Sequence, residues 1–376
     1  MSRLDVKNIT KKYNKDTVLD DISLSVGSAE TLVLFGPSGA GKTVLLRLIA
    51  GVIEPDQGQV LIDGEDVTDI EAEHRGVGMA FQNFALFPHM SAFDNIASPL
   101  VAARQSEENI SNSVRQVAEL LKIDHVTSHM PRELSNGQKQ RTSLARALIG
   151  EPPILLLDDP LRNVDAKLRF EMRLELPSLL RGRGTTVVYV TQDYKEAMAL
   201  GSQIAVLTEG RITQLGTPAD IYLQPANIEI ARLFGDPVIN LLDVEPRATS
   251  QGVCVDLSGT ELLLHGIGDE IVGRPCVLGV RPEYVVSVQG GSSGPVSDNP
   301  MPVNIEAETP INEKIITLAT TRGGRELLLS RPAGTPGPDP QNAFVTLKHG
   351  SALLFDKASG ELLQGVTNVE ATGAAA

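Results

Sequence analysis

The sequence of 376 residues is poor in cysteine, in long apolar runs and in positive charge. Its two cysteines, Cys254 and Cys276, are too few for a disulfide framework and are typical of a protein of the reducing cytosol. No apolar stretch approaches the roughly 20 residues of a membrane-spanning helix, and the first residues lack the basic and then apolar pattern of a signal peptide. We therefore expect any membrane role to come through a partner.

Acidic residues outnumber basic ones, 47 to 33, and the formal net charge is −14. This charge disfavours nucleic acid and anionic lipid, so we expect no nucleic-acid partner. Any affinity for phosphate has to arise locally, from a loop and a few nearby cations. The length is sufficient for two or three domains with sizeable cores.

A glycine loop between an apolar run and an amphipathic helix is the most informative stretch of the chain. Gly36, four residues and then Gly41-Lys42-Thr43 match the phosphate-binding P-loop in its strand–loop–helix context. Glycines let backbone N–H groups surround phosphate oxygens at the positive end of the helix. Lys42 would reach the β- and γ-phosphates, and the Thr43 hydroxyl would bind Mg²⁺. The loop residues predicted to bind a nucleoside triphosphate are Gly36, Pro37, Ser38, Gly39, Ala40, Gly41, Lys42, Thr43 and Val44.

Strands alternate with helices through the first two thirds of the chain. The fully apolar run at residues 154–158 ends in carboxylates, and a second apolar run at 185–191 follows a predicted helix. This alternation predicts a parallel sheet covered on both faces, with functional residues at the carboxyl ends of its strands. Beyond about residue 237, short strands separated by turn-rich loops predict a small, mostly β domain.

Further motifs follow the P-loop in a fixed order. Phe81-Gln82-Asn83 resembles a Q-loop, and the eight residues from Leu134 to Arg141 resemble a signature motif. Residues 155–160 resemble a Walker B strand, and residues 163–166 resemble a D-loop. Together with the aromatic Tyr13, these motifs make the chain resemble the ATP-binding subunit of an ABC transporter. The segments 82–90 and 278–283 are similar to the maltose-type, sugar-importer branch.

The resemblance covers nearly the whole chain and implies its domain organisation. Residues 1–236 would form the ABC ATP-binding domain, with a helical subdomain at about 88–150. Residues 237–370 would form a C-terminal β regulatory domain of the TOBE-like type, and residues 371–376 would be a frayed tail. The implied fold class is an α/β P-loop NTPase domain, a parallel-sheet core with a helical subdomain, followed by a small, mostly-β OB-like domain.

The resemblance also implies a head-to-tail dimer with two ATP molecules between its subunits and in-line attack of water on the γ-phosphate. Tyr13 would stack on adenine, and Asp158 would hold Mg²⁺ with Thr43. Gln82 would touch the metal or the water and relay closure to the membrane subunit. The residues implied to act in trans, on the ATP of the other subunit, are Ser135, Gly137, Gln138 and Asp165. Tyr13 as an ordinary hairpin aromatic, Gln82 as a strand-end polar residue and Asp165 as a helix N-cap stay open as alternatives.

Several residues depart from the family pattern. Asp159 stands where the family has a glutamate that polarises the attacking water, and Gln192 stands where it has a histidine on the γ-phosphate. Val44 replaces a second hydroxyl, Asn136 replaces a glycine of the signature, and Arg162 replaces a small residue before the D-loop.

The two departures at the catalytic positions predict a weakened site. Aspartate is shorter than glutamate by about 1.5 Å, and a misplacement of about 1 Å can cost on the order of 10²-fold in rate. Gln192 can carry neither a proton nor a charge. The predicted catalytic residues are Asp159, Gln192 and Gln82, and the changes at the first two predict slow turnover. ATP binding should survive, because the P-loop backbone, Lys42, Thr43 and Asp158 are all present. Tolerated drift in a working site is the alternative. Because the signature acts on the partner's ATP, we expect a heterodimer with a second ATPase rather than a homodimer.

The resulting expectation is an energy-coupling ATPase of an importer for a sugar, glycerol or glycerol phosphate. An importer of polyamines, osmolytes or inorganic ions and a mainly regulatory ATP-binding subunit are the alternatives, and a soluble ABC ATPase of translation or DNA repair is disfavoured. The expected partners are two transmembrane permease subunits that dock near Gln82 and, indirectly, a solute-binding protein. The expected location is peripheral, on the cytoplasmic face of the membrane.

Overall fold

The computed structural model describes residues 2–182, 184–250, 252–257, 260–264, 268–288, 300–339, 342–348 and 351–364. The chain divides into two compact units, Met1–Pro218 and Ala219–Ala376. A domain boundary at residues 236–237 stays a prediction, and the predicted tail at 371–376 lies outside the described residues. Among the helices of the described ranges, none has both the length and the apolar character that crossing a bilayer requires.

The first unit contains two β-sheets and the helices around them. Its strands are β1 (Leu4–Tyr13), β2 (Asp16–Val26), β3 (Thr31–Phe35), β4 (Gln57–Ile62), β5 (Glu65–Asp66), β6 (Val77–Ala80), β7 (Ile154–Asp158), β8 (Thr186–Thr191), β9 (Gln203–Thr208) and β10 (Arg211–Gly216). Its helices are α1 (Lys42–Ile49), α2 (Ala92–Ala102), α3 (Glu107–Leu120), α4 (Asn136–Ile149), α5 (Ala166–Gly182) and α6 (Tyr194–Leu200). Short 3₁₀ helices lie at Ala72–His74, Asp124–Val126 and Pro131–Glu133.

The central sheet has the strand order β10-β9-β3-β8-β7-β6. Its neighbours pair in parallel, except for β10, which runs antiparallel to β9 at one edge. Every residue of β3, β7 and β8 is buried, as continuous apolar runs require in a sheet covered on both faces. The predicted parallel sheet is confirmed. The segments that follow β3, β6, β7 and β8 carry the P-loop, Gln82, Asp159 and Gln192, so one edge of the sheet gathers them.

An antiparallel sheet, in the order β2-β1-β4-β5, completes the first unit. Strands β1 and β2 form the hairpin that the alternation of apolar residues predicts. Between β4 and β5, Asp63 and Gly64 both have positive φ, 54° and 84°, as an Asp-Gly hairpin turn requires. Side chains of β1, α1 and β7, such as Leu4, Leu45 and Leu156, share one apolar cluster.

The stretch between β6 and β7 is helical, and its helices begin at capping residues. Ser91 caps α2 through a reciprocal capping box with Asp94, and Ser106 caps α3. Ser135 caps α4 and forms a second capping box with Gln138. The α4 helix therefore begins inside the signature motif.

The second unit is mostly β, as predicted. Its strands are β11 (Asn240–Val244), β12 (Arg247–Thr249), β13 (Gly252–Leu257), β14 (Thr260–Leu264), β15 (Cys276–Val280), β16 (Val285–Val288), β17 (Met301–Ile311), β18 (Lys314–Thr321), β19 (Glu326–Pro332), β20 (Ala343–Leu347), β21 (Ala352–Asp356) and β22 (Leu362–Gln364). The helix α7 (Pro218–Leu223) leads into this unit, α8 (Ile228–Leu233) follows, and 3₁₀ helices lie at Asp269–Ile271 and Pro282–Tyr284.

The strands of the second unit pair antiparallel in the orders β11-β15-β21-β22, β12-β13-β14 and β16-β20-β17-β18-β19. Cys254 and Cys276 are free cysteines, buried on β13 and β15. An OB-like arrangement of these strands stays a prediction.

Candidate active site

The P-loop wraps around the amine of Lys42, the first residue of α1. The Lys42 Nζ atom donates to the carbonyl oxygens of Gly36 and Pro37, at 2.7 Å each. Burial lowers the pKa of Lys42, and the nearby carboxylates of Asp159 and Asp158 oppose this shift. The loop thus holds a cation ready at the N-terminus of a helix, where anions bind.

Two glycines fix the path of this loop. A Cβ on Gly36 would lie 2.1 Å from the carbonyl oxygen of Leu207 on β9, so no side chain fits there. Gly41 has a φ of +100°, and a Cβ on it would lie 2.7 Å from a methyl carbon of Leu19. The close approach of the loop to its neighbouring strands therefore depends on glycine at both positions.

Asp158 ends β7 beside the first turn of α1. The hydroxyl of Thr43 donates to Asp158 Oδ1 at 3.0 Å. Burial raises the pKa of Asp158, and the hydrogen bond from Thr43 offsets part of the increase. The hydroxyl of Thr43, the carboxylate of Asp158 and the amide of Gln82 line one pocket. Oxygen donors of this kind fit the preferences of Mg²⁺.

Asp159 follows β7 in a left-handed conformation, with a φ of +49°. Its backbone N–H donates to the carbonyl oxygen of Val190 at 3.0 Å, which ties the residue to β8. Burial raises the pKa of the Asp159 carboxyl to about 6, although the positive charge of Arg162 works against this shift. The Arg162 Nη1 atom lies 3.8 Å from Asp159 Oδ2. At neutral pH the carboxyl is mostly ionised and faces a guanidinium.

Gln192 follows β8, and the segment that carries it lies over a buried carboxylate. Glu196 accepts hydrogen bonds from the hydroxyls of Tyr189 and Thr191, each at 2.9 Å. The Thr191 hydroxyl also accepts from the backbone N–H of Asp193 at 3.0 Å. Burial raises the pKa of Glu196, while the bonds from Thr191 and Tyr189 lower it. This network holds the turn between β8 and α6 that presents Gln192.

These groups surround a pocket of about 200 Å³ at the carboxyl edge of the central sheet. Its walls are formed by Val18, Ser38, Gly39, Gly41, Lys42, Thr43, Val44, Gln82, Asp158, Asp159, Arg162, Val190 and Gln192. The structure thus brings together most of the residues that the sequence assigns to one subunit. Gly36, Pro37 and Ala40 shape the loop without lining this pocket.

Tyr13 lies outside the lining of the pocket. It ends β1 with 45% of its surface exposed, and the Lys11 ammonium lies 5.6 Å from the centre of its ring. Val18, on the next strand of the hairpin, lines the pocket instead. The sequence carries no local signal for Val18 or Val190, because only the packing of strands against the P-loop brings them there. Arg162 also lines the pocket, whereas the sequence indicates it only as a departure from the family pattern.

The residues implied to act in trans lie outside the pocket of their own chain. Ser135 accepts from the backbone N–H of Gln138 at 3.3 Å and donates its own N–H to Gln138 Oε1 at 2.8 Å. The signature also lies against the D-loop, since a Cβ on Gly137 would be 3.3 Å from the carbonyl oxygen of Asn163. Asp165 Oδ1 accepts from the backbone N–H of Leu168 at 3.0 Å, which is the helix-capping interaction that the sequence left open.

A P-loop between a buried parallel strand and a helix, with an aspartate at the end of another strand of the same sheet, defines the site of a P-loop nucleotide-hydrolysing protein. Comparison with known proteins then gives the family. Residues 19–162 match the family model described as ABC transporter. Because a relative more than 30% identical is covered almost completely, the chain belongs to the ABC transporter family, among its importer ATP-binding subunits.

The similar proteins cover the chain to different extents. It is 36% identical over 364 residues to the sn-glycerol-3-phosphate import ATP-binding protein UgpC of Escherichia coli (strain K12), which spans 96% of this chain and 99% of the relative. The protein of the same name from Shigella boydii serotype 4 (strain Sb227) matches with the same identity and coverage.

Among solved structures, the dimeric post-hydrolysis state of the ATP-binding cassette MJ0796 bound to ADP and Pi matches with a TM-score of 0.54 and 30% identity, over 57% of this chain and 98% of that one. The predicted family and fold class are confirmed. The chain is an ATP-binding ATPase whose activity is coupled to transport.

Proposed function

We propose that this chain energises an importer of glycerol phosphate, glycerol or a sugar, and that it hydrolyses the ATP in its own pocket slowly. The observation that carries the proposal is the position of Asp159 and Gln192 on the walls of the P-loop pocket. The substrate class is supported by the name of the relatives that match 96% of the chain.

Separate groups of residues in and near the pocket would contact the phosphates, Mg²⁺ and the adenine of ATP. Backbone N–H groups of the P-loop and the Lys42 amine would hold the β- and γ-phosphates. Thr43, Asp158 and Gln82 would hold Mg²⁺, which neutralises part of the phosphate charge when it is bound. Tyr13, which lies outside the pocket lining, would supply the adenine contact. None of these contacts involves the side chain of Asp159 or Gln192, so the main contacts with ATP would persist despite the two altered residues.

Hydrolysis would be slow for two reasons. Asp159 carries its carboxylate on a side chain one methylene shorter than glutamate, and a misplacement of about 1 Å can cost on the order of 10²-fold. Loss of a well-placed general base costs roughly 10²- to 10⁴-fold in general. Gln192 offers a hydrogen bond but no charge to the γ-phosphate. The buried network under Gln192 holds the turn in place, so a shift of backbone is not an easy remedy.

A second ATPase with glutamate and histidine at these two positions would supply the fast site. The matched cassette MJ0796 is dimeric in its solved structure. In this chain Ser135 and Asp165 are exposed near the first turns of α4 and α5, free to face a partner's nucleotide with Gly137 and Gln138. The chain would thus complete the fast site of a heterodimer while retaining ATP in its own.

Two permease subunits would dock in a groove next to Gln82. This groove of about 630 Å³ has an apolar lining that includes Phe81, Phe87 and Pro99. Arg146 donates to the carbonyl oxygen of Ala85 at 2.9 Å, and its guanidinium lies 5.3 Å from the centre of the Phe87 ring. Because the groove and the pocket are joined through the segment of Gln82, closure around ATP would reach the permease. The chain would lie peripherally on the cytoplasmic face, and a solute-binding protein would act only through the permease.

The experiment that tests the slow site is steady-state ATP hydrolysis by the purified chain and by the double variant Asp159→Glu/Gln192→His. We expect the native chain to bind ATP with little turnover and the double variant to gain at least about tenfold in rate. ATP binding is measured in both proteins, so that misfolding is not mistaken for inactivity. Rapid hydrolysis by the native chain alone would contradict the proposal and favour a homodimer with two equal sites.

A further inference from the structure

Arg162 lies on the wall of the nucleotide pocket, between Asp159 and the D-loop. Half of its side-chain surface is exposed, whereas the side chain of Asp159 is 11% exposed. Their ion pair, 3.8 Å long, is the one polar contact of the guanidinium within the part of the chain that the structure describes. The backbone around Arg162 is held by Arg169, which donates to its carbonyl oxygen at 3.0 Å. The backbone of Arg162 is therefore fixed, while its guanidinium keeps N–H donors that can bind a further group.

The carboxylate of Asp159 is only partly neutralised by the other charged groups of the pocket. Lys42 donates to two carbonyl oxygens of the P-loop, and Asp158 accepts from Thr43. Asp159 is buried beside the space for the phosphates, where its charge opposes that of a bound triphosphate. A guanidinium carries five N–H donors, so Arg162 has donors left after it pairs with Asp159. Phosphate is a group to which arginine binds well.

We propose that Arg162 is a nucleotide-binding residue that offsets the charge of Asp159 and favours ATP over ADP in this pocket. The inference rests on the proposed function, in which this chain retains ATP at a slow site. The preference for the triphosphate follows from position, since Asp159 occupies the place from which the attacking water at the γ-phosphate would be polarised. A cation paired with that carboxylate acts at the γ-phosphate end of the nucleotide.

The test compares binding of a non-hydrolysable ATP analogue, with an imido group between the β- and γ-phosphates, and of ADP, both with Mg²⁺ and the full chain. We expect Arg162→Ala to weaken binding of the triphosphate roughly fivefold to tenfold and binding of ADP less than about twofold. Arg162→Lys, which keeps the charge, should restore most of the loss. Arg211→Ala is the matched control, because Arg211 is an exposed arginine paired with Asp20 outside the pocket.

A double-mutant cycle with Asp159→Asn shows whether the two residues act together. We expect Asp159→Asn alone to strengthen triphosphate binding and Arg162→Ala to cost less in that background. Unchanged affinities, or equal weakening for both nucleotides, would overturn the inference, and so would faster hydrolysis with unchanged binding. Turnover of the native chain is measured separately. Rapid turnover contradicts the slow site, while the binding comparison still decides the role of Arg162.

Discussion

Val44 follows Thr43 on the wall of the nucleotide pocket and is an apolar side chain where the family pattern has a hydroxyl. A hydroxyl there would donate to the α-phosphate, which ATP and ADP share. Valine and threonine have nearly the same shape, so the position isolates one hydrogen bond. The absence of this hydrogen bond should weaken the binding of ATP and of ADP equally, whereas the effect inferred for Arg162 differs between the two nucleotides.

We expect Val44→Thr to strengthen binding of both ATP and ADP about threefold to tenfold, because one added hydrogen bond contributes about 1 kcal/mol. The measurement is equilibrium binding of each nucleotide with Mg²⁺. Val44→Ala, which removes apolar atoms without adding a donor, is the control and should not tighten binding. Tighter binding of ATP alone would show that the hydroxyl does not reach the α-phosphate.

Single residues of the pocket were predictable where a motif fixes their spacing. Lys42 and Thr43 follow from the glycines before them, and Asp158 follows from its place at the end of an apolar strand. Val18 and Val190 were not predictable, since side chains of this kind reach the pocket through packing between strands far apart in sequence. Tyr13 lies outside the pocket lining, and its contact with adenine stays a prediction.

At the scale of elements, β8 and α6 are joined by the buried carboxylate of Glu196. It accepts from Tyr189 and Thr191, so both elements depend on one acceptor. Burial raises its pKa above the ordinary value of 4.5, and the charges of Asp193 and Asp159 act in the same direction. The folded chain therefore binds this proton more tightly than the unfolded chain does.

This difference predicts how stability depends on pH. As the pH rises above about 4.5, the unfolded chain ionises Glu196 first, so the free energy of unfolding falls until the folded pKa is passed. Each unit of difference in pKa between the two states is worth about 1.4 kcal/mol. We expect Glu196→Gln, which cannot ionise, to gain stability relative to the native chain as the pH rises through this window.

The measurement is chemical unfolding of both proteins between about pH 4 and 8. This interval begins near the pKa of Glu196 in the unfolded chain and extends above it. Glu196→Leu serves as the control, because it removes the acceptor and should destabilise the chain at every pH. A gap between Glu196→Gln and the native chain that stays constant with pH would contradict the prediction.

The alternation of elements was predictable because the strands of the parallel sheet are apolar on both faces. The runs at β3, β7 and β8 are unbroken in sequence and fully buried in the structure. The order in which these strands pair was not predictable from the sequence. Strand β3 lies between β8 and β9 because of contacts between distant parts of the chain, which no local sequence pattern shows.

At the scale of the whole molecule, the division into two units falls earlier than the predicted domain boundary at residues 236–237. Helix α8 belongs with the β strands, as Ala231 packs in a cluster with Ile239, Val277 and Phe355. Arg281 also donates to the carbonyl oxygen of Phe234. A change of period in the sequence marks where strands begin and carries no signal for a short helix that packs on them, and the boundary at residues 236–237 stays a prediction.

We expect two fragments, residues 1–218 and 1–236, to bind ATP within about twofold of the full chain, because the pocket is lined by residues of the first unit alone. In the longer fragment the amides of α8 should lose protection from hydrogen exchange by at least about 100-fold, since their packing partners are absent. Exchange measured by mass spectrometry on this fragment and the full chain tests this. Protected α8 amides in the fragment would place the boundary at 236.

The burial of both cysteines has a practical consequence. The first unit contains none, and the two in the second unit are shielded within its strands. A cysteine placed at the exposed Ser135 would therefore be the one thiol open to reagents. The native chain is thus a ready background for thiol cross-linking, in which the bond formed would identify the subunit that faces the signature when ATP is bound.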